Sequence, residues 1–124
     1  MMDSDGVTRF SLGMPEGVPT QQQLTLNNSN GTKALTLSIS EQGRGNIALY
    51  DAGGALKLHI SLQDNGSPVI NLQDFDDKVR CAVALQENGS PLLIMSDVNQ
   101  NPRVVFAVGE DGEPIVELKR KDLT

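Results

Sequence analysis

The chain of 124 residues has no tryptophan, one tyrosine, three phenylalanines, one histidine and one cysteine. A lone cysteine excludes a disulfide framework within the chain. Basic residues are few, ten against sixteen acidic ones, for a formal charge of -6. Binding nucleic acid needs Lys and Arg to displace phosphate counterions, so this balance argues against it. Anionic membrane surfaces are disfavoured for the same reason. No apolar run approaches the roughly 18 to 20 residues that span a bilayer. The opening Met1-Met2-Asp3-Ser4-Asp5-Gly6 lacks the basic start and apolar middle of a secretory signal. A soluble, cytoplasmic product is expected. Apolar residues at 38% and charged residues at 21% suffice for a folded chain and are too apolar for a disordered tail. The length fits one domain, expected to cover residues 1–124.

What the chain does have is a repeat. Glycine recurs at Gly43, Gly66, Gly89 and Gly112, in steps of 23 residues. Two positions on stand Gly45, Pro68, Pro91 and Pro114 at the same step. Asp51, Asp74 and Asp97 keep it, as do Lys57, Arg80 and Arg103. A looser copy lies ahead, where 3–9 (DSDGVTR) parallels 74–80 (DFDDKVR) and Gly17-Val18-Pro19 parallels Gly66-Ser67-Pro68. Its glycine stands 26 residues before Gly43, so about three extra residues are expected near Gln21-Gln22-Gln23.

The aligned columns carry the structure. Five positions per repeat are expected to face inward. They are Leu35, Leu37, Ile39, Ile47 and Leu49, then Leu58, Ile60, Leu62, Ile70 and Leu72. Cys81, Val83, Leu85, Leu93 and Met95 follow, and last Val104, Phe106, Val108, Val116 and Leu118. All are apolar, where a 38% composition gives about eight of twenty by chance. Their spacing of two is that of a strand, whose alternate side chains leave on opposite faces. The other face carries Thr36, Ser38, Asn46, Ala48, His59, Ser61 and Asn71, mostly small or polar.

Each repeat thus reads as two short strands joined by tight turns. Asn65-Gly66, Asn88-Gly89 and Asp111-Gly112 offer the positive backbone dihedrals of hairpin turns. The proline that follows marks a returning strand whose amide donor can be missing. The second turn, 51–55 or 74–78, is short too. The expected fold is all-β: about ten short antiparallel strands in repeated hairpins, an up-and-down meander, with a coiled solenoid as the lesser option.

Ten strands about 4.8 Å apart would present a broad field of Leu, Ile and Val with no helix to cover it. A soluble monomer does not leave such a patch open. Either the sheet closes as a barrel able to hold a small apolar ligand, or copies of the chain bring these faces together. Strict repetition favours a homo-oligomeric prism, with a trimer preferred over a dimer. Low aromatic content counts against a pocket for an apolar ligand. In the last two repeats the other face also turns apolar or small, at Ala82, Ala84, Leu92, Ile94, Val105, Ala107 and Ile115. This is either drift on a tolerant surface or a second covered face. A protein partner, if there is one, is expected around Leu92, Ile94 and Val105.

The stretches 74–80, 81–85 and 87–91 resemble an uncharacterised group of bacterial repeat proteins. In those, a strand ending in Asp leads through a short turn to Arg or Lys, and a later turn reads Asp-Gly-Ser-Pro. The resemblance implies a β-hairpin repeat and no assigned chemistry. The group places Gly in the second turn where this chain has Asp77 and Gln100, which puts the turn type in question. MORN hairpin repeats are similar in length only, since their Tyr and Trp are absent here.

Few residues invite chemistry. Asp3, Asp5, Asp74, Asp76 and Asp77 are clustered oxygen donors, but calcium takes six to eight oxygens and each turn offers two or three. Plain turns are expected, with ion binding as the alternative. His59 lies in the outward column, two positions from Ser61, and a surface role is expected over a dyad. Cys81 sits in an inward column and is expected to be a small buried hydrophobe. Lys57, Arg80 and Arg103 are expected to form exposed ion pairs that oppose register slips. Lys119-Arg120-Lys121 is expected to be a solvated basic tail. No phosphate loop, CxxC, HExxH or GxSxG occurs. The expected product is a non-enzymatic structural or interaction module, with no cofactor and no bound metal.

Overall fold

The computed structural model describes residues 1–14 and 21–121. It is all-β, with ten strands: β1 (Phe10–Gly13), β2 (Gln23–Asn27), β3 (Lys33–Ile39), β4 (Gly45–Tyr50), β5 (Leu56–Leu62), β6 (Pro68–Gln73), β7 (Val79–Leu85), β8 (Pro91–Ser96), β9 (Pro102–Val108) and β10 (Pro114–Leu118). The chain divides into two compact units, Met1–Leu62 with β1 to β5 and Gln63–Thr124 with β6 to β10. Each is an antiparallel meander of consecutive strands. The expected Gly17-Val18-Pro19 copy falls outside the described residues.

One turn geometry serves both ends of the strands. In 63–67 the Gln63 amide donates to the Ser67 carbonyl at 2.8 Å and the Gly66 amide to the Gln63 carbonyl at 2.9 Å. In 97–101 the Asp97 amide donates to the Asn101 carbonyl at 3.0 Å and the Gln100 amide to the Asp97 carbonyl at 2.9 Å. This is the three-residue hairpin loop, a turn followed by one left-handed residue. The sequence pointed to positive dihedrals from Asn-Gly and Asp-Gly pairs. In the structure only the glycine of each pair, Gly66, Gly89 and Gly112, is left-handed. The Asn or Asp instead accepts a backbone N–H, as where the Ser67 amide donates to Asn65 Oδ1 at 2.9 Å. Asp77 (φ 59°) and Gln100 (φ 63°) adopt the same left-handed conformation, so the turn type survives the loss of glycine.

The register aligns the apolar columns into rows. In the first unit Phe10, Leu26, Leu35, Leu49 and Leu58 lie side by side, and so do Leu12, Leu24, Leu37, Ile47 and Ile60. In the second, Ile70, Val83, Leu93, Phe106 and Val116 form one row and Leu72, Cys81, Met95, Val104 and Leu118 another. Register shifts fall at Leu26/Asn27, Leu49/Tyr50, Leu72/Gln73 and Met95/Ser96, once per repeat.

The alternation has the expected phase, but its burial does not follow. None of the inward columns is buried in the single chain. Val83 is 46% exposed and Phe106 43%. Among the described residues the buried side chains are short ones on the other face, Thr25, Thr36 and Ala48. A single-layered sheet has nothing to lay over its large side chains, whereas short ones sink between longer neighbours. Gln23 Nε2, for example, reaches over to donate to Thr25 Oγ1 at 2.8 Å. The barrel alternative is corrected too: β1 pairs with β2 and not β5, β10 with β9 and not β6, so neither unit closes on itself.

Candidate functional site

The acidic turns are built alike. Asp97 Oδ1 accepts the amides of Asn99 (2.9 Å) and Asn101 (3.0 Å), and Oδ2 takes the Arg103 Nε at 2.8 Å. Asp74 does the same with Asp76, Lys78 and the Arg80 guanidinium, and Asp3 with Asp5, Val7 and Arg9. Asp51 caps Gly53 and Ala55 and faces Lys57 Nζ at 3.8 Å. The cation follows its aspartate by six residues, across the hairpin. Arg80 Nε also donates to the Ser96 carbonyl at 2.7 Å and Arg9 Nε to the Asn27 carbonyl at 3.1 Å, both at register shifts of the next strand. These guanidiniums therefore tie one hairpin to its neighbour.

All four carboxyls are held below the usual range. For Asp97 the Asn101 amide is the main cause, then Arg103, and together they bring it to about 2. Asp3 is lowered chiefly by the Val7 amide, and Asp51 by the Ala55 amide. At Asp74 desolvation raises the pKa and is outweighed by the Lys78 and Asp76 amides and Arg80. The carboxylates face their own turns. Among the described residues no three His, Cys, Asp or Glu side chains converge as a metal site.

Sequence reading missed one member of this series. Asn28 stands 23 residues before Asp51, and its Oδ1 accepts the amides of Asn30 (3.2 Å) and Thr32 (3.1 Å). The repeat shows in the sequence through its aspartates, and at Asn28 an amide with the same acceptor geometry keeps the column without keeping the letter.

His59 stands opposite Ala48 in β4, with Ser61 two positions along and opposite Asn46. Cys81 is half-buried between Leu72 and Met95, in the large-aliphatic rows rather than enclosed. In the basic segment, the Arg120 carbonyl accepts from Arg103 Nη1 at 3.0 Å and Lys119 Nζ lies 3.5 Å from Glu117.

Leu92, Ile94 and Val105 are brought together on the second face of β6 to β10. Ile94 lies directly opposite Val105, and Leu92 opposite Ala107. All three are half-buried in the single chain. Two rows cross this face: Val69, Ala84, Leu92, Ala107, Ile115, and Asn71, Ala82, Ile94, Val105, Glu117. The matching rows of the first unit read Ser11, Thr25, Thr36, Ala48, His59 and Gln23, Ser38, Asn46, Ser61. Among known proteins, no protein-family model matches the chain and no curated protein matches it significantly.

Proposed function

We propose that the chain is a non-enzymatic structural or interaction module, a β-repeat scaffold that works as a homo-oligomer, with a trimer as the preferred assembly. The observation that carries this reading is the large-aliphatic face. Rows such as Ile70, Val83, Leu93, Phe106 and Val116 run unbroken across the strands, and Val83, Phe106 and Val116 among them are exposed in the single chain. Apolar surface this continuous is a liability in water and a source of association energy when copies meet. Three copies around an axis would give each sheet two neighbours. The repeated polar residues support the same reading, since turns, caps and hairpin ties account for Asp3, Asp51, Asp74, Asp97 and their cations. Light scattering on the full chain tests it. The expected mass is a multiple of 13.3 kDa, threefold for the trimer, and a stable 13.3 kDa monomer overturns it.

A further inference from the structure

Asparagine precedes glycine in three of the hairpin loops, at Asn30-Gly31, Asn65-Gly66 and Asn88-Gly89. The glycine of each pair is left-handed, and its amide donates to the carbonyl three residues back, of Asn28 at 3.1 Å, Gln63 at 2.9 Å and Gln86 at 2.9 Å. All three asparagines are exposed. Glycine has no Cβ, so its nitrogen is open to close approach by the preceding side chain. That makes these pairs the places where the backbone can attack an asparagine carboxamide.

The loops differ in how the carboxamide is held. In each, Oδ1 accepts the amide two residues on, from Thr32, Ser67 and Ser90, at 2.9 Å in every case. The ring closed by this bond contains both the asparagine Cγ and the glycine nitrogen, which limits the separation of the two reacting atoms. The donated N–H also lies on the oxygen that becomes negative when Cγ is attacked. At Asn30 the Thr32 hydroxyl donates to the same oxygen, a second donor where the charge develops. Asn88 is held in the opposite sense. Its Nδ2 donates to Glu110 Oε1 at 2.7 Å, which ties down the nitrogen that must leave. The nearby negative charge also opposes loss of the Gly89 amide proton and build-up of charge on Oδ1. Asn65 has the shared amide donor and, among the described residues, neither of these additions.

We propose that Asn30 is a site of spontaneous covalent modification, converted through a cyclic succinimide to aspartate and isoaspartate ahead of Asn65, with Asn88 last. The Gly31 nitrogen gives its proton to water or hydroxide and bonds to Asn30 Cγ. The Cγ–Nδ2 bond then breaks, and ammonia leaves with a proton taken from water. Water adds to one of the two ring carbonyls and opens the ring. No oxidant or reductant is needed. The aspartate product suits the loop, since Asp111 in 109–113 accepts the Glu113 amide at 3.0 Å from the same position. The isoaspartate product puts an extra methylene into the backbone of the loop, against the bond from the Asn28 amide to the Thr32 carbonyl. Either adds a negative charge to an already acidic chain. The site is independent of the oligomeric reading.

Peptide mapping by mass spectrometry, on the full chain held at mildly alkaline pH, follows the three sites together. Asn30 is expected to lose its amide about threefold faster than Asn65, the effect of one added hydrogen bond, and Asn88 to be slowest. In guanidinium chloride the folded donors are gone, and the lead of Asn30 over Asn65 should disappear. Thr32→Val removes the hydroxyl and should bring Asn30 down to the Asn65 rate, whereas Thr32→Ser should keep it fast. Glu110→Gln should speed Asn88. Circular dichroism verifies the strand signal of each variant. Equal rates at Asn30 and Asn65 in the folded chain overturn the proposal, as does a lead that persists in guanidinium chloride. A folded Thr32→Val chain with the wild-type rate at Asn30 overturns the part given to the hydroxyl. Should that variant lose its strand signal, Thr32→Ala takes its place. An Asn88 that stays slow in Glu110→Gln overturns the part given to Glu110.

Discussion

At the scale of single residues, the left-handed turn position separates comfort from strain. Gly54 (φ 88°) and Gly31 (φ 84°) hold it freely, whereas Gln100 holds it with a side chain. A non-glycine residue there costs roughly 1 to 2 kcal/mol, part of which glycine returns as unfolded-state entropy. Gln100→Gly should therefore raise stability by about 0.5 to 1 kcal/mol, read as a higher urea midpoint. Asp77→Gly should gain less, because Asp tolerates this region better. The converse also differs by site. A Cβ on Gly54 would stand 2.8 Å from Thr32 Cγ2, whereas one on Gly66 meets open space. Gly54→Ala should thus be the more destabilising of the two in the same measurement.

Asp97 also acts at this scale. Its folded pKa of about 2 lies below the ordinary value of 3.8, so its stabilisation is full above the ordinary value. It is lost as pH falls through the folded one. Asp3, Asp51 and Asp74 shift the same way, so thermal stability should drop between about pH 4 and pH 2. Asn28 shows that an amide preserves the two caps. Asp97→Asn should therefore keep the turn, lose the Arg103 pair and flatten the melting-temperature profile in that window. An unchanged profile would remove Asp97 from the acid response.

At the scale of the element, hairpins are tied by guanidiniums rather than by charge alone. Arg80 pairs with Asp74 and also donates to the Ser96 carbonyl, while Lys57 in the same column stands 3.8 Å from Asp51. Exposed pairs are worth about 0.2 to 1 kcal/mol, and a hydrogen bond from a charged donor adds to that. Arg80→Met should cost about 1 kcal/mol and Arg80→Lys less, by denaturant unfolding. Strand positions, their phase and the repeat were legible in the sequence because side-chain period and turn chemistry are local. Burial was not, since it depends on how many layers cover a face. Leu37 and Val83 were expected inside and lie exposed, while Thr36 is buried. The turn class was half legible: Gly66 marked the place, but Asn65 serves through its side chain. The grouping of Leu92, Ile94 and Val105 was legible from the columns, and the pairing of Ile94 with Val105 and of Leu92 with Ala107 needed the register.

For the whole molecule, stability and association are one quantity under the oligomeric reading, because copies bind only the folded sheet. The melting temperature should then rise with protein concentration, and a value constant over a hundredfold dilution would argue for a self-sufficient monomer. Calorimetry at several concentrations checks it.

Within either unit, every ladder joins residues less than one repeat apart, from Phe10 with Leu26 to Leu118 with Val104. Short loops close at low entropic cost, so any hairpin can nucleate and its neighbours can zip on from either side. A whole repeat inserted at a turn would keep every downstream side chain on its face. Length is therefore open to change by duplication, without redesign of the sheet that receives the copy.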